Sequence, residues 1–380
     1  MHLLDLFLGM TSRGPRFFED GWGDRALCDA SEPELLLRRR VRPVEVRLGP
    51  AQRAHGGVLR EGTFESPEER LPACARTARV KLLMPEGEAR GVALHLAASG
   101  DQGFGLRLRF AAPLLERGLG AMVLENAYYG SRRPERQVAH ALRSVSDLYL
   151  MGAATFLEGR ALLRWLHHDL GHARVGISGF SMGGQMAAMV GASMDFPLAV
   201  VPIAASCSAD SVLRHGVLRH APSWARLIGD GETEDIAREA LLGKLAQVSV
   251  TALPAPVFPA AAIVVGTAQD GVVPPSEMRR IAEYWGAELR WLPAGHVSAV
   301  LRHQGPMRQA IQDAFERLDA VQLPFACRRR RRHPGAAESP ILSVLSLAAR
   351  AEEDAAALPQ RSSSALSAPQ AATGGDGPRP

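Results

Sequence analysis

The chain has 380 residues, 46% hydrophobic and 22% charged, which is ample apolar content for a buried core and ordinary charge for a globular protein. Five cationic side chains form one run, Arg328–Arg332, and removing those five from the formal net charge of +4 leaves −1. The basicity therefore belongs to a tail, and nucleic acid is not an expected partner. The four cysteines (Cys28, Cys74, Cys207, Cys327) form no C-x-x-C pair and have no His at metal spacing, so neither a disulfide framework, a metal nor another cofactor is expected.

From the N-terminus, Met1–Met10 lacks a basic n-region and carries Asp5 inside its apolar run. It reads as a short amphipathic helix docked on the body or lying on a membrane, and not as a secretory signal. No run reaches about eighteen uninterrupted apolar residues, so no spanning helix is expected. Residues 1–40 read as a helical and irregular extension. Val44–Leu48 and Ala78–Leu83 alternate apolar and charged residues, the mark of half-buried strands. Gly91–Ala97 is apolar enough for a central strand and runs into Ala98-Ser-Gly-Asp101. A helix over 104–117, a buried strand over Gly120–Leu124, a turn-rich loop over Glu125–Pro134 and a long helix over Val145–His168 follow.

Beyond Arg174–Ser178, a strand pattern, stands Gly179-Phe-Ser-Met-Gly183, followed by an Ala/Met-rich helical pattern. G-x-S-x-G in that context places a serine at a sharp strand-to-helix turn, where side chains at either flanking position would strike backbone. Ser181 is the candidate nucleophile; Ser178 fits less well because Phe180 stands where the motif needs glycine. Leu198–Ala205 and Ala261–Gly266 read as further strands, with a mixed helical insertion over 207–256 between them. A helix over 276–286, a strand over Glu288–Leu292 and a closing helix over 305–319 complete the body. Strands alternating with helices imply a mostly parallel sheet covered on both faces, with working residues in loops at the strands' carboxyl ends. After about 323 come the arginine run, one apolar helix candidate (Ile341–Ala349) and a Ser/Ala/Pro/Gly-rich stretch of disordered composition.

A serine hydroxyl needs an adjacent base, and that base needs a carboxylate to hold its tautomer. In this fold the order is Ser, acid, His. Asp270 follows a strand in a Gln-Asp-Gly-Val-Val-Pro turn, and His296 follows the last strand in Ala-Gly-His-Val-Ser. Asp195 and Asp210 are rival acids, since they also follow the elbow. Among the other histidines, His95 sits inside a strand and reads as structural, while His167, His168, His215 and His220 fall on helical patterns. The oxyanion hole is expected from the backbone N–H of Met182 and from the small residues Ala98 and Ser99.

Several blocks together resemble the α/β-hydrolase domain-containing protein 18 family. They are Glu61–Pro67, His95-Leu-Ala97 with Gly100-Asp101, Leu124–Pro134 with its Asn-Ala-Tyr-Tyr-Gly-Ser-Arg-Arg-Pro core, Val145–Gly152, Ser178–Gly184, Gly295–Ala299 and Ala310–Arg317. The resemblance covers about residues 1–320. It implies an α/β-hydrolase fold, Ser181, Asp270 and His296 as a triad, and hydrolysis of an acyl ester such as that of a lipid, with animal members associated with mitochondria. The sequence departs in the oxyanion loop, where Ala98-Ser99 replaces a Gly-Thr pair and Gln102-Gly-Phe replaces a His/aromatic run.

The expected organisation is a hydrolase domain over 1–322, with a lid over 207–256, and a basic tail over 323–380. The leading expectation is a serine hydrolase of ester bonds, intracellular and soluble or peripheral to a membrane. The alternatives are a catalytically silent interaction protein on the same fold, against which stands a complete set of triad candidates, and a thioesterase, which would use the same triad. Asn126, Tyr128 and Tyr129, with Arg132 and Arg133 beside them, are candidate contacts to a polar head group; bonds that brace their own loop are the other reading.

Overall fold

The computed structural model describes Asp5, residues 16–29 and residues 39–330, with side chains through residue 319. The tail helix expected at Ile341–Ala349, the compositionally disordered end and most of the 1–40 extension lie outside the described residues. The chain divides into Met1–Leu323 and Pro324–Pro380, and the site described below belongs to the first unit.

The strands are β1 Arg47–Leu48, β2 Gln52–Ala54, β3 Gly57–Glu65, β4 Thr77–Met84, β5 Gly91–Leu96, β6 Leu119–Leu124, β7 Val175–Phe180, β8 Ala199–Ile203, β9 Ile263–Thr267 and β10 Glu288–Leu292. The helices are α1 Arg25–Asp29, α2 Ala73–Arg76, α3 Gly105–Ala111, α4 Val145–Arg164, α5 Met182–Ala192, α6 Ala209–His215, α7 Glu234–Gln247, α8 Pro275–Trp285, α9 His296–Arg302 and α10 Gln304–Arg330. One sheet runs β1-β3-β4-β6-β5-β7-β8-β9-β10, with β2 paired to β3. From β6 to β10 every pairing is parallel, while β1 to β4 form an antiparallel flank that joins β6 through β4.

Strands β5, β6, β8 and β9 are buried along their whole length, as parallel strands covered by helices on both faces must be. Their side chains alternate between two cores. Leu94, Ile177, Val200 and Val264 pack on one face with Phe156 of α4, Met189 of α5 and Met278 of α8. Ala93, Val201 and Val265 pack on the other with Met307, Ile311 and Phe315 of α10. The longest fully described helix, α4, begins in a capping box in which the Ser144 hydroxyl accepts from the Asp147 N–H and the Asp147 carboxylate accepts from the Ser144 N–H, both at 3.1 Å. That satisfies two of the free donors at its start.

The chain leaves β5, forms β6 on one side of it, then crosses by α4 to form β7 on the other. The carboxyl ends of β5 and β7 therefore face a topological switch point, where α/β sheets open a crevice. Between β8 and β9 stands the helical insertion, containing α6 and α7.

Two differences from the sequence reading lie in the antiparallel flank. The strand expected over Val44–Leu48 shrinks to Arg47–Leu48, and Gln52–Ala54 and Gly57–Glu65 are strands that periodicity does not reveal. In β3 the adjacent charges Arg60-Glu61 and the interior Gly62 break the alternation, and pairing with β4 along its full length overrides that weak local pattern. Among the described residues, no helix is long and apolar enough to cross a membrane.

Candidate active site

Strand β7 ends at Phe180, and α5 begins at Met182. Between them Ser181 adopts φ 56° and ψ −122°, a region that residues with a Cβ rarely occupy and that persists only where the surroundings hold it. Its N–H donates to the Ile203 carbonyl at 2.9 Å, which ties the turn to the end of β8. The flanking glycines are required by contact. A Cβ on Gly179 would lie 2.3 Å from the Gly183 carbonyl oxygen, and one on Gly183 would lie 2.5 Å from that of Leu96 and 2.8 Å from that of Ala97. Gly183 thus lets the start of α5 press against the end of β5, beside the Ala98–Asp101 loop.

The His296 Nε2 lies 2.9 Å from Ser181 Oγ, and its Nδ1 lies 2.7 Å from Asp270 Oδ2. A ring that donates from Nδ1 to the carboxylate leaves Nε2 free to accept the serine proton. The carboxylate is fixed on all sides: Thr267 Oγ1 donates to Oδ2 at 2.5 Å, and the N–H groups of Val272 and Val273 donate to Oδ1 at 2.8 Å each. His296 is the first residue of α9, and its ring sits 4.7 Å from that of Phe180. Asp270 and His296 are buried and Ser181 is half-buried. Local motif and long-range order converge here on three residues drawn from the ends of β7, β9 and β10.

The rival candidates go elsewhere. Asp195 pairs with Arg164 at the surface, 3.0 Å away, and Asp210 accepts from Ser208 in the first turn of α6. The Ser178 hydroxyl is buried and donates to the Val201 carbonyl at 2.8 Å. His95 is enclosed in β5, and burial pushes its pKa down to about 3, so the ring stays neutral. His167 stacks on Phe196 at 4.5 Å.

Met182 opens α5, so its N–H has no intrahelical acceptor. Ala98 is half-buried and Ser99 exposed on the loop after β5. Asp101 anchors that loop through a buried ion pair with Arg107 Nε at 2.7 Å, and Arg107 also donates to the carbonyls of His95 and Leu124. Tyr129 contacts the loop: burial raises its phenol pKa, and hydrogen bonds with the Ser99 side chain and the Gly100 backbone pull it part-way back.

The expected head-group contacts lie deeper than the sequence suggests. Asn126, Tyr128 and Tyr129 are buried, at 3%, 2% and 1% exposure. The Asn126 Oδ1 accepts from Thr155 Oγ1 at 2.6 Å, and both tyrosine rings belong to a core under α4. The loop is turned inward by Arg132, which is itself 1% exposed and bonded to Glu158, Ala75 and Glu125. Of the two readings given for this loop, bracing is the one these bonds describe.

A cavity of about 340 Å³ opens beside Met182, between α4, α5 and the insertion. Its walls include Leu148, Met151, Phe156, Met186, Leu245 and Val248. Arg39 and Arg70 stand at its edge, both bonded to the buried Glu68 at 2.7 Å. Burial alone would raise the Glu68 pKa, but hydrogen bonds from Arg70 and Arg39 outweigh it and bring it down to about 2. Because the folded-state pKa is depressed, this carboxylate stabilises the fold above its ordinary value of 4.5 and loses that contribution as pH falls toward 2. Denaturant melts of wild type and Glu68→Gln are expected to differ most above pH 4.5 and to converge as pH 2 is approached; a difference independent of pH would contradict the assignment.

Sequence reasoning missed Thr267, Asp101 with Arg107, and Asp5, whose carboxylate accepts backbone N–H groups beside both Asp270 and His296. Asp101 was visible within a family block; no local signal marks Asp5.

The chain resembles solved structures over most of its length. It matches an acetyl xylan esterase from Thermoanaerobacterium sp. JW/SL YS485 with TM-score 0.53 and 16% identity, covering 83% of this chain and 99% of that one. The corresponding figures for an acetyl xylan esterase from Paenibacillus sp. R4 are 0.52, 14%, 82% and 99%. At these identities the likeness establishes the α/β-hydrolase fold. Two curated, uncharacterised proteins of Mycobacterium tuberculosis, from strains CDC 1551 / Oshkosh and ATCC 25618 / H37Rv, are each 27% identical over 175 residues, 45% of this chain. The match spans 39% of their length. The profile described as "Alpha/beta hydrolase domain containing 18" matches residues 15–242 and 229–317, and the chain belongs to that family.

Proposed function

We propose that the protein is a serine hydrolase that cleaves carboxylic esters with an extended acyl chain through an acyl-Ser181 intermediate. The observation that carries this reading is the unbroken relay Ser181–His296–Asp270, at 2.9 and 2.7 Å, on a strained elbow. A scaffold protein has no need to maintain that strain and that relay together.

In the proposed reaction the Ser181 oxygen attacks the ester carbonyl while His296 Nε2 takes the hydroxyl proton. Asp270 holds the Nδ1–H and stabilises the imidazolium that forms. The N–H of Met182, with those of Ala98 and Ser99, receives the charge developing on the carbonyl oxygen. Collapse breaks the bond to the alcohol, which leaves with the proton from Nε2. Water, deprotonated by the same nitrogen, then frees the acid and regenerates Ser181.

The cavity beside Met182 supports the chain-length part of the proposal. Its walls along α4 and α5 are mostly apolar, with Thr155 and Gln185 among them, and its volume lies at the lower end of the range of ligand pockets. The insertion, through Ala209, Leu245 and Val248, closes one side and acts as the lid. An apolar acyl pocket also suits a substrate drawn from a membrane surface.

Covalent labelling of intact protein by a fluorophosphonate, mapped to Ser181, tests the nucleophile; a folded protein with no adduct, in buffer and on liposomes, would refute the hydrolase reading. The pocket is tested separately. Gly152 lies on the cavity wall, and a Cβ there would meet nothing within 4 Å, so Gly152→Leu projects into the cavity with no backbone clash and with better helix propensity. Across p-nitrophenyl esters of rising chain length, wild type is expected to favour long chains and Gly152→Leu short ones, shifting the ratio about tenfold or more. An unchanged profile would place the acyl chain elsewhere.

A further inference from the structure

We infer that Asp5 is a positioning residue for the catalytic pair, clamping the loop of the acid to the backbone of the base; the inference rests on the hydrolase reading above. Asp5 is fully buried. Its Oδ2 accepts from the N–H of Gly271 at 2.9 Å and from that of His296 at 2.8 Å, and its Oδ1 accepts from Val297 at 2.9 Å. One donor adjoins Asp270 and another belongs to His296 itself, so a single carboxylate spans both loops that must converge on Ser181.

The sequence of α9 explains why such a clamp is needed. A helix begins with N–H groups that have no intrahelical acceptor, and a Ser, Thr, Asp or Asn at the N-cap normally takes one of them. Here the N-cap is Gly295, which has no side-chain oxygen to offer. Gly295 has an ordinary extended backbone, and the cap is supplied instead from 291 residues away. A carboxylate is the right group for the task, since it can accept several N–H bonds at once and favours the positive end of a helix. With Asp270 already committed to Thr267, Val272, Val273 and His296, Asp5 supplies the remaining link between the two loops. The spacing between imidazole and carboxylate then depends on a residue that contacts neither substrate nor reacting atoms.

The test compares wild type, Asp5→Ala and Asp5→Asn in the full chain. Turnover of a p-nitrophenyl ester is corrected for the folded fraction measured by near-UV circular dichroism. Loss of the clamp is expected to lower kcat about tenfold to a hundredfold, the scale set by misplacing a catalytic group by an ångström or less, with KM within about twofold of wild type. Asp5→Asn, which keeps one carbonyl oxygen to accept, should fall between wild type and Asp5→Ala. Hydrogen exchange gives a readout independent of activity: amides over 271–272 and 296–298 should lose protection in Asp5→Ala, while those of β5 and β8 keep theirs. If wild-type Ser181 takes no fluorophosphonate, the hydrolase reading fails, and with it the catalytic consequence; the exchange data still decide whether the clamp exists. Unchanged kcat, a kcat that falls only with the folded fraction, or amides equally protected in all three proteins would each overturn the inference.

Discussion

Ser181→Ala and His296→Ala are each expected to lower kcat for an ester substrate by about four to six orders of magnitude, with little change in unfolding midpoint. The size follows from the way the three residues act as a unit: removing either the nucleophile or its base costs nearly as much as removing all of them. Activity that survives at the level of uncatalysed hydrolysis plus a residual factor would come from binding and the oxyanion donors alone. The structure also sets which result would defeat the assignment. Ser178, the serine immediately before the motif, commits its hydroxyl to the Val201 carbonyl inside the sheet, so it cannot substitute. Full turnover by Ser181→Ala would therefore mean that the chemistry lies outside this elbow. Asp270→Asn belongs in the same series: it keeps the volume but presents an amide to Nδ1, and a loss of about four orders is expected from the wrong tautomer. Stopped assays with enzyme-concentration controls are needed to exclude wild-type carry-over at these levels.

The second large effect is on stability. Arg132→Ala is expected to destabilise the fold by about 3–5 kcal/mol, because it strands the Glu158 carboxylate without its counter-charge in the core. Glu158 is 0% exposed, and both of its oxygens are bonded to the guanidinium, at 2.9 and 2.5 Å. The same guanidinium donates to the carbonyls of Ala75 and Glu125, so four anchoring points across the Glu125–Pro134 loop, α2 and α4 are lost at once. Arg132→Lys should recover little, since an ammonium cannot reproduce the planar fork. Denaturant unfolding measures the first effect, and substrate kinetics separate it from a binding role. If Arg132→Ala left stability unchanged and raised KM, the loop would be a substrate contact after all; the expected pattern is the reverse.

That loop shows where sequence reasoning reaches and where it stops. A Tyr-Tyr-Gly-Ser-Arg-Arg run looks like surface chemistry because tyrosine and arginine are amphipathic and turn-forming glycine sits among them. What makes it interior is Glu158, 26 residues further along on α4, which offers a buried arginine its partner. The long strand β3 illustrates the same limit from the other side. Its own alternation is broken by Arg60-Glu61 and Gly62, yet β4 beside it supplies a full register of partners. The elbow, by contrast, is legible because its motif is local: a Cβ on Gly179 would strike the Gly183 backbone, although the clash at Gly183 is with Leu96 and Ala97 at the end of β5. Asp270 and His296 are legible for a related reason, since each ends a recognisable strand and strand ends are where such sheets place their chemistry.

What the amino-acid order determined by itself was the alternation of strands and helices, the parallel sheet that follows from it, the family, and the three side chains at strand ends. The sheet and the strand-end side chains follow from rules that act over a few residues, such as side-chain period, turn chemistry and backbone sterics, while the family follows from the resemblance of whole sequence blocks. What only the tertiary structure decided was the burial of Tyr128 and Tyr129, the apolar cavity beside Met182, and the seat of Asp5 against Gly271, His296 and Val297. These depend on hydrogen bonds and packing between segments tens to hundreds of residues apart, and the free energy of burying a polar group is set by partners that no local pattern names.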